Sequence, residues 1–308
     1  TTITNMIKLR QYDKAKPELD KYMTNEKNAA RPESWYYKAV VYNGLALVDT
    51  KAITERKNLN QEAYNAIKKY MEMDSKAPLT NEETNTTLYN SYYVFFDLGI
   101  KLYNGKQLEE SYDLFKSTLE AHDYIYSHNL AGANGLKFAE HDTDIVWNLV
   151  VLGNELKKKE EVLGYYKRIA DANLGDEKYA EAYDELVKKY RKEGNTEMFN
   201  KYLDKAKKHF GSDPYWEAVG IEYAIKGLEN EELFKKYEEL MVTYPNNYMV
   251  YFNYGHDLDK YVYSADSKGK DVSVYKKKIP ELYKKAISIK SSIDANVLLT
   301  NYYYNSSF

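Results

Sequence analysis

Apolar positions recur every three or four residues along most of this chain, and small or helix-breaking residues punctuate them. Residues 214–245 (PYWEAVGIEYAIKGLENEELFKKYEELMVTYP) show the pattern most fully. Trp216, Val219, Gly220, Tyr223 and Gly227 mark one face of a helix. Pro214 suits its first turn, where a missing N–H costs nothing. Gly227 suits a left-handed helix end. Leu233, Phe234, Tyr237, Leu240, Met241 and Tyr244 form a second stripe of the same period, and Pro245 stops it. The segment predicts two helices joined by a tight turn. Gly220 stands between ring positions, where a missing side chain lets two backbones approach.

The same grammar recurs. Tyr183, Leu186, Val187, Tyr190 and Gly194 lead into Phe199, Leu203 and Ala206. Phe95, Leu98, Gly99, Leu102 and Gly105 lead into Ser111, Phe115 and Thr118. Trp35, Ala39 and Tyr42 lead into Ala63, Ile67 and Tyr70 across an insertion at 46–60. Tyr251, Tyr254, Gly255 and Leu258 lead into Ile279, Tyr283 and Ala286 across an insertion at 261–274. Trp147, Val150 and Val151 with Tyr166 and Ile169 make a degenerate copy. Tyr12, Ala15, Leu19 and Tyr22 read as the second helix of a unit whose first helix is mostly missing. Residues 294–304 read as a final lone helix. The stretch 129–143, with Gly132 and Gly135, interrupts the period and reads as a long connection and a place for a bend.

A period near 34 residues with W-x2-L-G-x2-Y, then A-x3-F, then P, resembles the tetratricopeptide repeat. WEAVGIEY follows the first part, and Leu233, Tyr237 and Pro245 follow the second. The match is strong for the units starting near 93, 181 and 214, moderate near 33 and 249, and weak near 144. Few second helices keep the small alanine. The resemblance implies an all-α fold: an α-solenoid of stacked antiparallel helix pairs in a right-handed superhelix. It would run over residues 1–308 as one array of about six to seven pairs. A chain of this length can then fold without a spherical core, because each pair buries its face on its neighbours.

Composition narrows function mainly by exclusion. There is no cysteine, so disulfides, thiolate nucleophiles and cysteine zinc sites are ruled out. The net charge of -3 predicts no general attraction to nucleic acid. No apolar run approaches the length of a membrane span. The 34 tyrosines, against 9 phenylalanines, predict helix-packing rings with hydroxyls at the solvent edge, or else an aromatic ligand surface.

No catalytic constellation rises from the pattern. His122 and His128 fall on different helix faces. His141 with Asp142 and Asp144 matches no established metal loop, and Asp144 is expected to cap a helix. His209 sits near a helix end, where a cation suits the dipole. His256, Asp259 and Lys260 share a solvated or groove-lining face. AGANG lacks the residues of a phosphate loop, and DSKGKD at 266–271 lacks a calcium ligand set. The adjacent pairs Glu82–Glu83, Glu109–Glu110 and Glu231–Glu232 belong to first helical turns. Lysines crowd 268–290, a solvated face or a landing area for an acidic partner. The expectation is no enzyme activity, no cofactor and no metal.

The resemblance implies that first helices line a concave side. Positions one, five and eight after the signature ring share that face. They are Tyr36, Val40 and Asn43; Phe96, Ile100 and Tyr103; Trp147, Val151 and Asn154; Asp184, Lys188 and Arg191; Glu217, Ile221 and Ala224; and Phe252, His256 and Asp259. The early stripe is aromatic and apolar, the later one charged. The expected function is a protein-interaction scaffold that holds a peptide or extended protein segment in this groove. The alternative is a glycan- or small-molecule-binding protein of the cell envelope that uses aromatic groove residues. The texture, rich in Tyr, Asn and Lys, resembles exported tetratricopeptide proteins of Bacteroidetes, which implies a periplasmic or secreted location. An opening Thr1 in place of Met fits a removed export signal or a trimmed chain.

Overall fold

A computed structural model describes residues 2–74, 76, 79 and 85–305. Sixteen α-helices and no strand occur among the described residues. The chain divides into two compact units, Thr1–Leu174 and Gly175–Phe308. The division follows Leu174, outside the connection at 129–143.

In the first unit, α1 (Thr2–Lys8), α2 (Tyr12–Met23) and the single turn α3 (Glu26–Ala29) precede three hairpins. These pair α4 (Pro32–Ala46) with α5 (Ile53–Met73), α6 (Thr86–Asn104) with α7 (Leu108–Ser127), and α8 (Thr143–Glu155) with α9 (Lys159–Asp171). The second helix of each hairpin also packs on the next first helix, α5 on α6 and α7 on α8, and α2 packs on α4 in the same way. Ala39, Ala63, Ile67, Phe95, Leu98 and Ile125 belong to one continuous core.

The second unit pairs α10 (Ala180–Glu193) with α11 (Thr196–Phe210), α12 (Pro214–Ile225) with α13 (Asn230–Thr243), and α14 (Tyr248–Val262) with α15 (Ser273–Ile289). The final helix, α16 (Ile293–Asn305), packs on α15. Phe234, Tyr237, Tyr254, Leu258, Ile279 and Tyr283 fill much of its core.

The expected helix signals act where the pattern placed them. Pro214 opens α12, and the Asp213 carboxylate before it accepts from the Tyr215 N–H at 2.9 Å. Gly194 ends α10 at φ 69°, a left-handed conformation that an L side chain rarely adopts. Gly99 serves packing instead. A Cβ there would lie 2.9 Å from the Phe115 ring of the paired helix, so the missing side chain is what seats that ring. Tyrosine dominates the buried rings, and several of their hydroxyls reach partners at the edge of a layer, although that of the buried Tyr283 is enclosed without one. The Tyr237 hydroxyl donates to Asp257 at 2.7 Å, and the Tyr254 hydroxyl to Glu238 at 2.7 Å.

Three expectations are corrected. Residues 46–60 are mostly not an insertion: α4 runs to Ala46, a short loop follows, and α5 starts at Ile53. The extra turns of α5 carry polar core residues that break the apolar period. Arg56, only 4% exposed, donates from Nε to the Ala46 carbonyl at 2.8 Å, while Asn60, fully buried, donates to the Ser91 carbonyl at 2.9 Å. Between Val262 and Ser273 the loop is shorter than 261–274. A 3-10 turn at Ala265–Ser267 closes it, with the Ser267 hydroxyl 3.0 Å from the carbonyls of Val262 and Ser264. The cap of α8 is Asp142, whose carboxylate accepts from the Ile145 N–H at 3.1 Å; Asp144 lies inside the first turn and is exposed. Glu109–Glu110 and Glu231–Glu232 occupy first turns of α7 and α13. Glu82–Glu83 lie outside the described residues.

The connection before α8 is pinned along its length. The Tyr89 hydroxyl lies 3.0 Å from the Leu130 carbonyl and 2.8 Å from that of Leu136, and Asn85 donates to the Ala131 carbonyl at 2.8 Å. His122, buried on α7, has both ring nitrogens 3.0 Å from acceptors, the Asp123 carboxylate and the Ala139 carbonyl. Asp123 in turn receives both terminal nitrogens of Arg168 from α9, each at 2.6 Å.

Candidate functional site

Four of the first unit's exposed large apolar side chains, Tyr93, Ile100, Tyr103 and Val151, stand on α6 and α8. Ile100 is 38% exposed, Tyr103 43% and Val151 44%. They surround a hollow of about 190 Å³, completed by Asn148 and Leu152 of α8 and by Phe115 of α7. A helix places residues seven apart on one face, two turns along the axis. Tyr93, 48% exposed, therefore stands on the same side of α6 as Ile100. Gly99 faces Phe115, and its missing side chain lets that ring reach the hollow. The repeat architecture thus builds the pocket: the second helix α7 supplies the floor through Phe115, and the two successive first helices α6 and α8 supply the walls.

Charge is nearly absent here. Residues 145–154 of α8 contain no charged side chain. On α6, Asp97 and Lys101 pair with each other at 2.8 Å, and Asp97 also receives a bond from the buried Arg56 at 3.4 Å. Such a surface favours uncharged contacts, since a partner's charge would lose water without gaining a counter-charge.

The remaining stripe residues fare differently. Tyr36 is half-buried, its ring centroid 5.4 Å from Tyr70 and 6.0 Å from Tyr37. Val40 and Trp147 are half-buried as well, and Phe96 sits 6.1 Å from Phe115. Asn43 is enclosed at 3% exposure, with its carbonyl oxygen accepting from Asn90 at 3.1 Å; it holds helices together and does not face a groove. Asn154 is exposed but donates to the Tyr166 hydroxyl at 2.9 Å.

In the second unit the charged stripe is largely paired with itself. Lys188 meets Asp184 at 2.6 Å and Glu185 at 3.1 Å, and hydrogen bonds from these two carboxylates raise its pKa above the usual lysine value. Arg191 meets Glu222 at 3.1 Å. Ile221 is buried, so the expectation that it faces a groove is corrected. Glu217 accepts from Asn247 at 2.7 Å, and Ala224 is half-buried. Phe252 stacks between Tyr248 at 5.4 Å and His256 at 6.3 Å. Burial raises the pKa of the neighbouring Asp259 carboxyl, and one of its oxygens is enclosed without a partner.

No group of three or more His, Asp or Glu side chains that could hold a metal ion occurs among the described residues. Asp142 is engaged in capping α8 and in accepting from the Tyr92 hydroxyl at 2.7 Å. No helix among the described residues is long and apolar enough to cross a membrane. The stripe rule missed Tyr93, Phe115, Asn148 and Leu152. Tyr93 was accessible from the sequence, as the residue two helical turns before Ile100. Phe115 was not, because only the hairpin fold brings it there.

No family model matches the chain, and no curated protein does. Among solved structures, the crystal structure of YrrB, "a TPR protein with an unusual peptide-binding site", is similar at 17% sequence identity, covering 92% of this chain and 97% of that chain with a TM-score of 0.21. The assignment of architecture comes from the chain itself. Signature rings such as Phe95, Tyr183, Trp216 and Tyr251 are buried in helices that pair consecutively, and each unit is all-α, built of helix hairpins packed one on the next.

Proposed function

We propose that this chain is a protein-interaction scaffold whose first unit holds a peptide or extended segment of another protein along α6 and α8. The observation that carries the reading is the uncharged apolar pocket formed by Ile100, Tyr103, Phe115 and Val151. Helix and hairpin packing leave the rim of this pocket open to solvent although apolar neighbours surround it, and exposed apolar patches of this kind mark contact sites. Binding energy would concentrate in the rings and branched side chains at the centre, as hot spots do. The aromatic surface also suits a glycan, but the pocket's walls are aliphatic as much as aromatic, and a peptide side chain fits them better.

The test places a photo-crosslinking residue at Val151 in the native organism, with Asn154 replaced in parallel. Crosslinks to one protein from Val151, abolished by Ile100→Asp, support the reading. Equal crosslinking after that substitution, or capture by oligosaccharide probes alone, overturns it.

A further inference from the structure

A second hollow, of about 610 Å³, lies at the start of the first unit and shares no residue with the pocket between α6 and α8. The helix α1 and the end of α2 form one side of it, and α3 with the start of α4 forms the other. Its rim is pinned. The Asn28 side-chain amide donates to the Tyr22 carbonyl at 3.0 Å, the Ser34 hydroxyl donates to the Asn28 carbonyl at 2.8 Å, and the Trp35 indole N–H donates to the Ala29 carbonyl at 2.8 Å. These bonds tie the single turn α3 to the helices before and after it, so the hollow is formed before any ligand arrives. Its volume falls within the roughly 300–1,000 Å³ of small-molecule sites. Only Ile3 and Leu19 among its lining side chains are aliphatic. The others carry polar atoms, and several leave them open. Glu18 and Lys21 stand three residues apart on α2, yet neither joins an ion pair among the described residues. Arg31 reaches the Tyr22 hydroxyl at 3.5 Å and the Glu33 carboxylate at 3.8 Å, both at the limit of contact, and its side chain is 59% exposed, so most of its five donors remain open. The Tyr37 hydroxyl makes no hydrogen bond among the described residues.

These groups select a ligand by its chemistry. Glu18 and Glu33 offset Lys21 and Arg31, so an ionic ligand gains one attraction and suffers the matching repulsion. Both walls carry both signs, Glu18 with Lys21 on α2 and Arg31 with Glu33 at the start of α4, so a zwitterion finds no end of one sign. An apolar ligand would strip water from charged groups without replacing their hydrogen bonds. A sugar meets every condition. It is uncharged, its adjacent hydroxyls each donate and accept, and its ring presents C–H faces between them. Planar guanidinium and carboxylate groups can bond two adjacent hydroxyls at once. The half-buried rings of Tyr22 and Tyr37 supply apolar faces with a polar edge for the C–H side. We propose that this hollow binds a short neutral oligosaccharide, with Arg31 donating to and Glu33 accepting from neighbouring hydroxyls, and Tyr37 against a C–H face. The site stands independently of the peptide-binding reading of α6 and α8.

The test uses the full chain, with isothermal titration and ligand-observed NMR. The neutral probes are maltotriose, cellotriose, xylotriose, mannotriose and tri-N-acetylchitotriose. The controls are anionic trigalacturonate, the cationic glucosamine trimer and the zwitterion diglycine. At least one neutral trisaccharide is expected to bind with a Kd of about 1 mM or tighter, and at least about tenfold more tightly than any control. Arg31→Met and Tyr37→Ala are each expected to weaken it by about tenfold or more, while Tyr37→Phe, which keeps the ring, weakens it less. Arg31 is exposed, so its replacement reports on the site and not on folding. Ile100→Asp is expected to leave sugar binding unchanged, which separates this site from the strip on α6 and α8. The proposal is overturned if none of the neutral sugars binds, if a charged sugar or diglycine binds as tightly, or if binding survives both Arg31→Met and Tyr37→Ala. Sugar binding that Ile100→Asp abolishes and Arg31→Met does not would move the sugar to the other pocket and overturn both readings.

Discussion

The ion pair between Asp123 and Arg168 is the sharpest handle on how the first unit holds together. It joins α7 to α9 through two bonds of 2.6 Å, and His122 extends it to the Ala139 carbonyl of the long connection. Burial alone would push the Asp123 carboxyl up. The bonds from Arg168 and then His122 overcome that and hold it down from 3.8 to about 2. A carboxyl depressed in the folded state stabilises the fold fully above its unfolded pKa and loses that contribution as the pH falls through the folded value. The window is therefore from about pH 4 down to about pH 2. A shift of nearly two units would correspond to about 2–3 kcal/mol without screening. Asp123 is 44% exposed on its side chain, so solvent screening reduces the expected contribution to about 1 kcal/mol. The assay is a double-mutant cycle of Asp123→Asn and Arg168→Met, followed by urea unfolding at neutral pH, with hydrogen exchange of residues 130–142 as a local readout. The coupling energy should be about 1 kcal/mol, and exchange in the connection should quicken in either single variant. In acid, the difference between wild type and Asp123→Asn should shrink below about pH 4. A coupling energy indistinguishable from zero at neutral pH, with unchanged exchange, would refute the reasoning.

Other outcomes follow from the packing. Gly99→Val drives a branched side chain into the Phe115 ring, which would lie only 2.9 Å from the new Cβ, and should cost about 1–3 kcal/mol in urea unfolding. Asn60→Leu removes the donor to the Ser91 carbonyl and leaves the Asn43 amide facing an apolar group, which should cost about 1–3 kcal/mol by the same measurement. Lys188→Ala and Arg191→Ala remove exposed or half-exposed ion pairs of α10 and should each change stability by less than about 1 kcal/mol. Ile100→Asp should leave the melting temperature nearly unchanged, since its side chain is already partly in water, so any loss of binding in that variant reports on the surface and not on folding.

Much of the fold was legible in the sequence because helices bury a periodic face. Trp216, Val219 and Tyr223 are separated by the spacing that a helix requires, and Pro214, Gly194 and Gly227 stand where ends need special backbone. Those are local properties, and local physics decides them. The exposed stripe was half legible: Ile100, Tyr103 and Val151 came from helical periodicity taken together with the repeat resemblance, which implied that first helices line a groove. Two of the errors share one cause. Arg56 and Asn60 fall in the stretch 46–60 that reads as an insertion, yet the fold supplies carbonyls of Ala46 and Ser91 to accept their hydrogen bonds, and α5 continues through them. Asn43 looks like a groove residue, yet Asn60 and Asn90 enclose it. Whether a polar side chain is buried depends on partners distant along the chain, and a single segment does not contain them. The pocket depends on tertiary structure most of all. Its walls come from α6 and α8 and its floor from Phe115 on α7, so the sequence determined which side chains were apolar and on which helix face each stood, while packing of three helices decided that they would surround one hollow.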